Sequence, residues 1–164
     1  MKKNATIVFV ALVVLGFLVY LGGVAKKEKA VEEVAQTSRE TAMLCTTDMA
    51  TEFHIHPILK IVVDGVEQVV PANVGIAVGC MHPLHTHDAS GLIHVESPIK
   101  KDFTLGDFFY VWGKDFSSSK ILDSVVSPTM AVYVSVNGQV VDTFEQTILH
   151  DKDEIIISYS KKLP

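Results

Sequence analysis

The chain has 164 residues, a formal net charge of -5 and an apolar fraction of 48%. That length suits one domain of ordinary size and leaves two cramped, and the apolar content excludes a polar, disordered chain. The negative balance and the scattered lysines give no basic footprint, so no nucleic-acid partner is expected.

In chain order, the first feature is the uncharged run "ATIVFVALVVLGFLVYLGGV" from Ala5 to Val24, with Lys2 and Lys3 before it and Lys26, Lys27 and Lys29 after it. About 20 apolar residues cross a bilayer as a helix. Residues 1–25 are therefore expected to form an N-terminal transmembrane anchor, although Gly23-Val24-Ala25 also resembles a signal-cleavage site. With the short tail in the cytoplasm, a single-pass protein of the cell membrane results, its C-terminal domain outside the cytoplasm. Residues 26–52 begin with "KKEKAVEEVAQTSRETAML", which has no glycine or proline and reads as a helical or flexible stalk.

From residue 53 to 164 the pattern becomes one of short runs rich in Val and Ile, ended by turn residues, the signature of strands. "ILKIVVDGVEQVV" sets Asp64-Gly65 between two alternating runs, and "MAVYVSVNGQVVDTF" does the same with Asn137-Gly138; both dipeptides supply the positive φ of a type I′ hairpin turn. "GLIHVESP" reads as a further strand. In "FTLGDFFYVWG", Thr104 and Asp107 resemble a helix-starting cap, and Phe108, Phe109, Val111 and Trp112 give that helix an apolar side. "EIIISYS" closes the domain as a last strand. The order predicts an α+β fold with a mixed or antiparallel sheet and one packed helix.

Six of the 7 histidines lie between residues 54 and 94. In an extended chain residues two apart share a face, so His54 with His56, His85 with His87, and His94 with Glu96 are three same-face pairs. Imidazole is the common ligand of zinc, copper, nickel and non-haem iron. The metal-ligand candidates are His54, His56, Cys80, His82, His85, His87 and His94, with His54, His56, His85 and His87 first among them. Cys80 is open to two readings, a thiolate ligand or half of a disulfide with Cys45 in an oxidising compartment. Met81 reads as a filler of apolar gaps, and His150, beside acidic residues, as a surface group. Asp88 suits either a turn cap or an acceptor that orients a ligating imidazole. The zincin pattern His-Glu-x-x-His does not occur.

The string "HTHDASGLIHVESPIKKDFTLGDFFYVWG" is similar to a family of small anchored or secreted histidine-rich domains. That resemblance, over about residues 54 to 115, implies that "HTHDASG" is a coherent unit and implies no particular reaction. The stretch "AVYVSVNGQVVDTFEQTILHDKDEIIISY" resembles the closing half of β-grasp domains, which implies a β-grasp-like sheet; the carrier members of that superfamily end in Gly-Gly, whereas this chain ends Lys161-Lys-Leu-Pro164.

The expected function is a membrane-tethered metal-binding domain that delivers or buffers metal, with copper as first choice, because thiol and thioether lie near the imidazoles, and zinc as second. One alternative is a metal-dependent hydrolase or hydratase using a His-bound water, with Asp88 or Glu96 as acid or base. Another is a structural or interaction subunit of a membrane protein complex, presenting a sheet edge or the aromatic helix.

Overall fold

The computed structural model describes residues 37–47 and 51–162. The expected anchor, residues 1–25, lies outside the described residues, and among those described no helix is long and apolar enough to cross a membrane.

Two antiparallel hairpins flank a central strand. β2 (Ile58–Val63) and β3 (Val66–Gln68) form the first hairpin, β11 (Met130–Val136) and β12 (Gln139–Val141) the second. Asp64 and Gly65 take φ 51° and 81°, Asn137 and Gly138 φ 52° and 80°, the left-handed pairs that a two-residue turn matched to strand twist requires. The last strand, β13 (Glu154–Lys161), lies between the hairpins, antiparallel to β11 and parallel to β2. The sheet order is β12-β11-β13-β2-β3. The parallel pair needs a long crossover, and the chain between β2 and β13 supplies it, including a helix over Leu105–Trp112.

A second, three-stranded antiparallel sheet is built from β1 (Phe53–Ile55), β7 (His94–Ser97) and β6 (Leu84–His85), with β7 in the middle. A short hairpin β4–β5 (Ile76–Ala77, Cys80–Met81) and a small three-stranded sheet β8–β9–β10 (Phe116–Ser117, Lys120–Ile121, Ser124–Val125) complete the strands of the described residues.

Helix α2 (Leu105–Trp112) starts on the expected capping box: Thr104 Oγ1 accepts from Asp107 N, and Asp107 Oδ2 accepts from Thr104 N. Gly113, at φ 69°, ends it in the left-handed conformation. Phe108 and Phe109 are buried and join Leu59, Ile61, Val134 and Ile157 of the larger sheet and Ile55, Leu84 and Val95 of the smaller one in a single core. Among the described residues the structure is thus α+β, mostly strands, with the eight-residue α2 packed in the core.

Residues 37–47, read from sequence as part of the stalk, pack onto this unit. Helix α1 (Ser38–Ala42) buries Thr41 and Ala42. Arg39 Nε lies 2.7 Å from Oδ1 of the buried Asp107, and the guanidinium sits 4.6 Å from the Tyr110 ring centre. Cys45 is disulfide-bonded to Cys80, a sequence separation of 35 residues. The bond corrects the expectation that Cys80 offers a thiolate: its sulfur is shared with Cys45 and carries no ligand charge.

Candidate metal centre

The alternation of β7 divides its side chains. Val95 and Ser97 are buried, while His94 and Glu96 share the opposite face. Register then sets the neighbours: His85 is directly across from His94, and His54 from Glu96. His56 and His87, each two residues beyond a strand histidine, continue the same face. The ring of His94 has its centre 4.8 Å from that of His56, 4.6 Å from His87, 5.4 Å from His85 and 6.1 Å from His54.

Five of the 7 histidines thus converge, and they fall into two groups of three: His54, His56 and His94, and His85, His87 and His94. Within each group the ligand atoms lie within 4.8 Å of one another. His85 Nε2 and His87 Nε2 lie 3.3 Å apart, in hydrogen-bond contact. A tetrahedral ion with metal–nitrogen bonds of about 2.0–2.1 Å spaces two ligand nitrogens about 3.3–3.4 Å apart, so this pair already has the required opening.

Local structure holds these rings. Between His85 and His87, the buried Thr86 donates from Oγ1 to Pro71 O at 2.7 Å and accepts from Val74 N at 3.1 Å, which pins the strand end. His85 Nδ1 lies 3.0 Å from His82 O. A carbonyl only accepts, so Nδ1 carries the proton and Nε2 presents its lone pair, the outer contact that metal-binding histidines usually have. Asp88 Oδ1 accepts from Ser90 N and Ser90 Oγ from Leu92 N, a folded turn that returns the chain from His87 to β7. Asp88 therefore takes the turn-capping role.

Burial holds the His85 imidazole below its usual pKa, against the opposing pull of the His82 carbonyl and Glu96. His94 is lowered first by burial, then by repulsion from His87 and His56. Both effects favour neutral rings, the form that binds metal. Hydrogen bonds from Ser90 keep the Asp88 carboxyl below the ordinary range.

No family model, curated protein or solved structure matches the chain. Function has to be argued from the site itself.

Among the sequence candidates, the fold brings together His54, His56, His85, His87 and His94. His82 lies outside both groups and contributes its carbonyl, while its own Nδ1 is buried without a hydrogen-bond partner. Cys80 is in the disulfide. His150 is exposed and faces Asp153 at 3.1 Å. Sequence reasoning paired His94 with Glu96 without placing it at the centre, because that position follows from the β1-β7-β6 order. It also missed Asp151, whose Oδ1 accepts from His56 N at 3.0 Å and lies 3.9 Å from His56 Nδ1. The two are 95 residues apart and meet through the parallel pairing of β2 with β13, a contact with no local signal.

Proposed function

We propose that the domain binds a divalent transition metal on the imidazoles of this face, and that in the full chain it works outside the cytoplasm, tethered by residues 5–24, delivering or buffering metal for a membrane complex. The observation that carries the reading is the convergence of His54, His56, His85 and His87 on His94, with the His85 and His87 Nε2 atoms 3.3 Å apart. The Cys45–Cys80 bond supports an oxidising compartment. The order of the five-stranded sheet, with β2 and β13 parallel at its centre, supports the β-grasp-like description.

With Cys80 bonded, the thiol half of the soft-sulfur argument for copper falls away, and the Met81 thioether alone carries the rest. What is left is a nitrogen site with carboxylates beside it, suited to zinc and to copper(II) alike. The test is elemental analysis of the full-length chain in detergent after loading with either metal, against a His85→Ala/His87→Ala variant. The expected result is bound metal that the variant loses at least in part. A wild-type chain that stays metal-free, or a variant that retains the full complement, overturns the reading.

One observation favours a catalytic version. His85, His87 and His94 make a three-histidine set, and Glu96 lies 3.5 Å from His94 Nδ1. A zinc held by these three histidines would keep a position for water and would supply a nucleophile near neutral pH. Faster hydrolysis or hydration of generic substrates by the loaded chain than by a Glu96→Gln variant supports it; equal rates exclude it.

A further inference from the structure

His94 belongs to both donor groups, and its surroundings are not those of an ordinary ligand. Its Nδ1 is buried, has Glu96 Oε1 at 3.5 Å, and makes no short hydrogen bond. Buried polar atoms are normally well satisfied, and a single long carboxylate contact leaves this one, at the centre of a donor cluster, open to a stronger partner. The same Glu96 Oε1 lies 3.1 Å from His54 Nε2, so His94 Nδ1 faces the His54 side. The lone-pair directions of the two nitrogens of an imidazole diverge. A ring with Nδ1 toward the His54 side keeps Nε2 for the second group to which His94 belongs, in which His87 meets the ring edge-on at 4.6 Å and His85 stacks on it at 5.4 Å.

From this geometry we infer that the face is built for two cations, one on His54 and His56, one on His85 and His87, with His94 bridging them through its two ring nitrogens. The inference rests on the metal-binding reading above and extends it in stoichiometry and in the role of His94. Carboxylates are distributed to match: Asp151 beside His56, Glu96 between His54 and His94, and Asp88 next to His87 in the chain. Two divalent ions held by neutral imidazoles alone would repel one another, and these carboxylates offset that repulsion. The proton balance is definite. A neutral His94 keeps one N–H; the second cation takes that position, and the proton leaves to solvent, so the second equivalent releases one more proton than imidazole binding otherwise requires. The cation on His85 and His87 enters first, since their nitrogens already have the required spacing.

The experiment is titration of the full-length chain in detergent with copper(II), read by bound-metal stoichiometry and by electron paramagnetic resonance. Two equivalents are expected, with the copper signal lost or split by coupling as the second fills. A His54→Ala/His56→Ala variant, altering side chains at the more exposed end of the cluster, binds one and shows an uncoupled signal. A His94→Gln variant shows no coupling at any loading. Zero equivalents in the wild type sinks the metal reading itself. One equivalent, unchanged in the His54/His56 variant, overturns the two-cation inference and leaves the metal reading standing. Two equivalents without coupling overturns the bridge.

Discussion

His85 is the imidazole whose state the fold controls most tightly. It is 0% exposed, its Nδ1 proton is committed to the His82 carbonyl, and it is surrounded by His87, His94 and Glu96. Charging it would place a cation in the core edge beside two other imidazoles, with Glu96 as the opposing charge. Its folded pKa is consequently below the usual histidine value, while in the unfolded chain it titrates normally. As pH falls, the unfolded state takes up the proton first, so stability decreases with falling pH. The contribution is fully present above the unfolded pKa, about 6.5, and is lost as pH falls from there through the depressed folded value. Thermal unfolding of the chelator-treated chain between pH 7.5 and 5 is expected to show a falling Tm, with a shallower dependence in His85→Asn. Identical slopes in the two proteins would show that His85 is not the group responsible.

At the level of elements, the turn "HTHDASG" depends on its last residue. Gly91 has φ 82°, and a side-chain carbon there would meet the backbone carbonyl of Leu59. The close approach is used: Leu59 N donates to Gly91 O at 2.9 Å, joining β2 to the strand that carries His94. Gly91→Ala combines left-handed strain with a clash against backbone, and is expected to cost about 2–3 kcal/mol. Urea unfolding at constant m-value measures it, and a loss under about 0.5 kcal/mol would contradict the geometry. Local signals of this kind made much of the fold legible. The two I′ turns, the Thr104–Asp107 cap and the same-face histidine pairs each depend on residues a few positions apart, where backbone sterics decide. The central place of His94, the contact of Asp151 with His56 and the docking of Arg39 on Asp107 depend on pairings between distant segments. For Cys45 and Cys80 the sequence permitted both a bond and a ligand, and only their 5.3 Å Cα separation selects the bond.

For the whole molecule, the disulfide and the donor cluster are linked through one short segment. Cys80 begins the stretch that continues through His82, whose carbonyl fixes the His85 tautomer, to β6. At the other end of the bond, Cys45 follows α1, which is held independently by the Arg39–Asp107 pair and by burial of Ala42. Breaking the bond therefore loosens the segment without removing a donor. Closing a loop between residues 35 apart restricts the unfolded chain by about 3–4 kcal/mol in the chain-entropy picture. For a domain of this size that corresponds to roughly 10 °C in Tm. A Cys45→Ser/Cys80→Ser chain is expected to melt lower by about that amount. Well below its Tm it should bind the same number of metal ions as the wild type, with weaker affinity because the His82 carbonyl is less firmly held. The stoichiometry decides between two roles for the sulfur. An unchanged count assigns Cys80 to positioning alone, whereas loss of one equivalent in the folded variant would contradict that assignment and show that one cation site needs the bond itself.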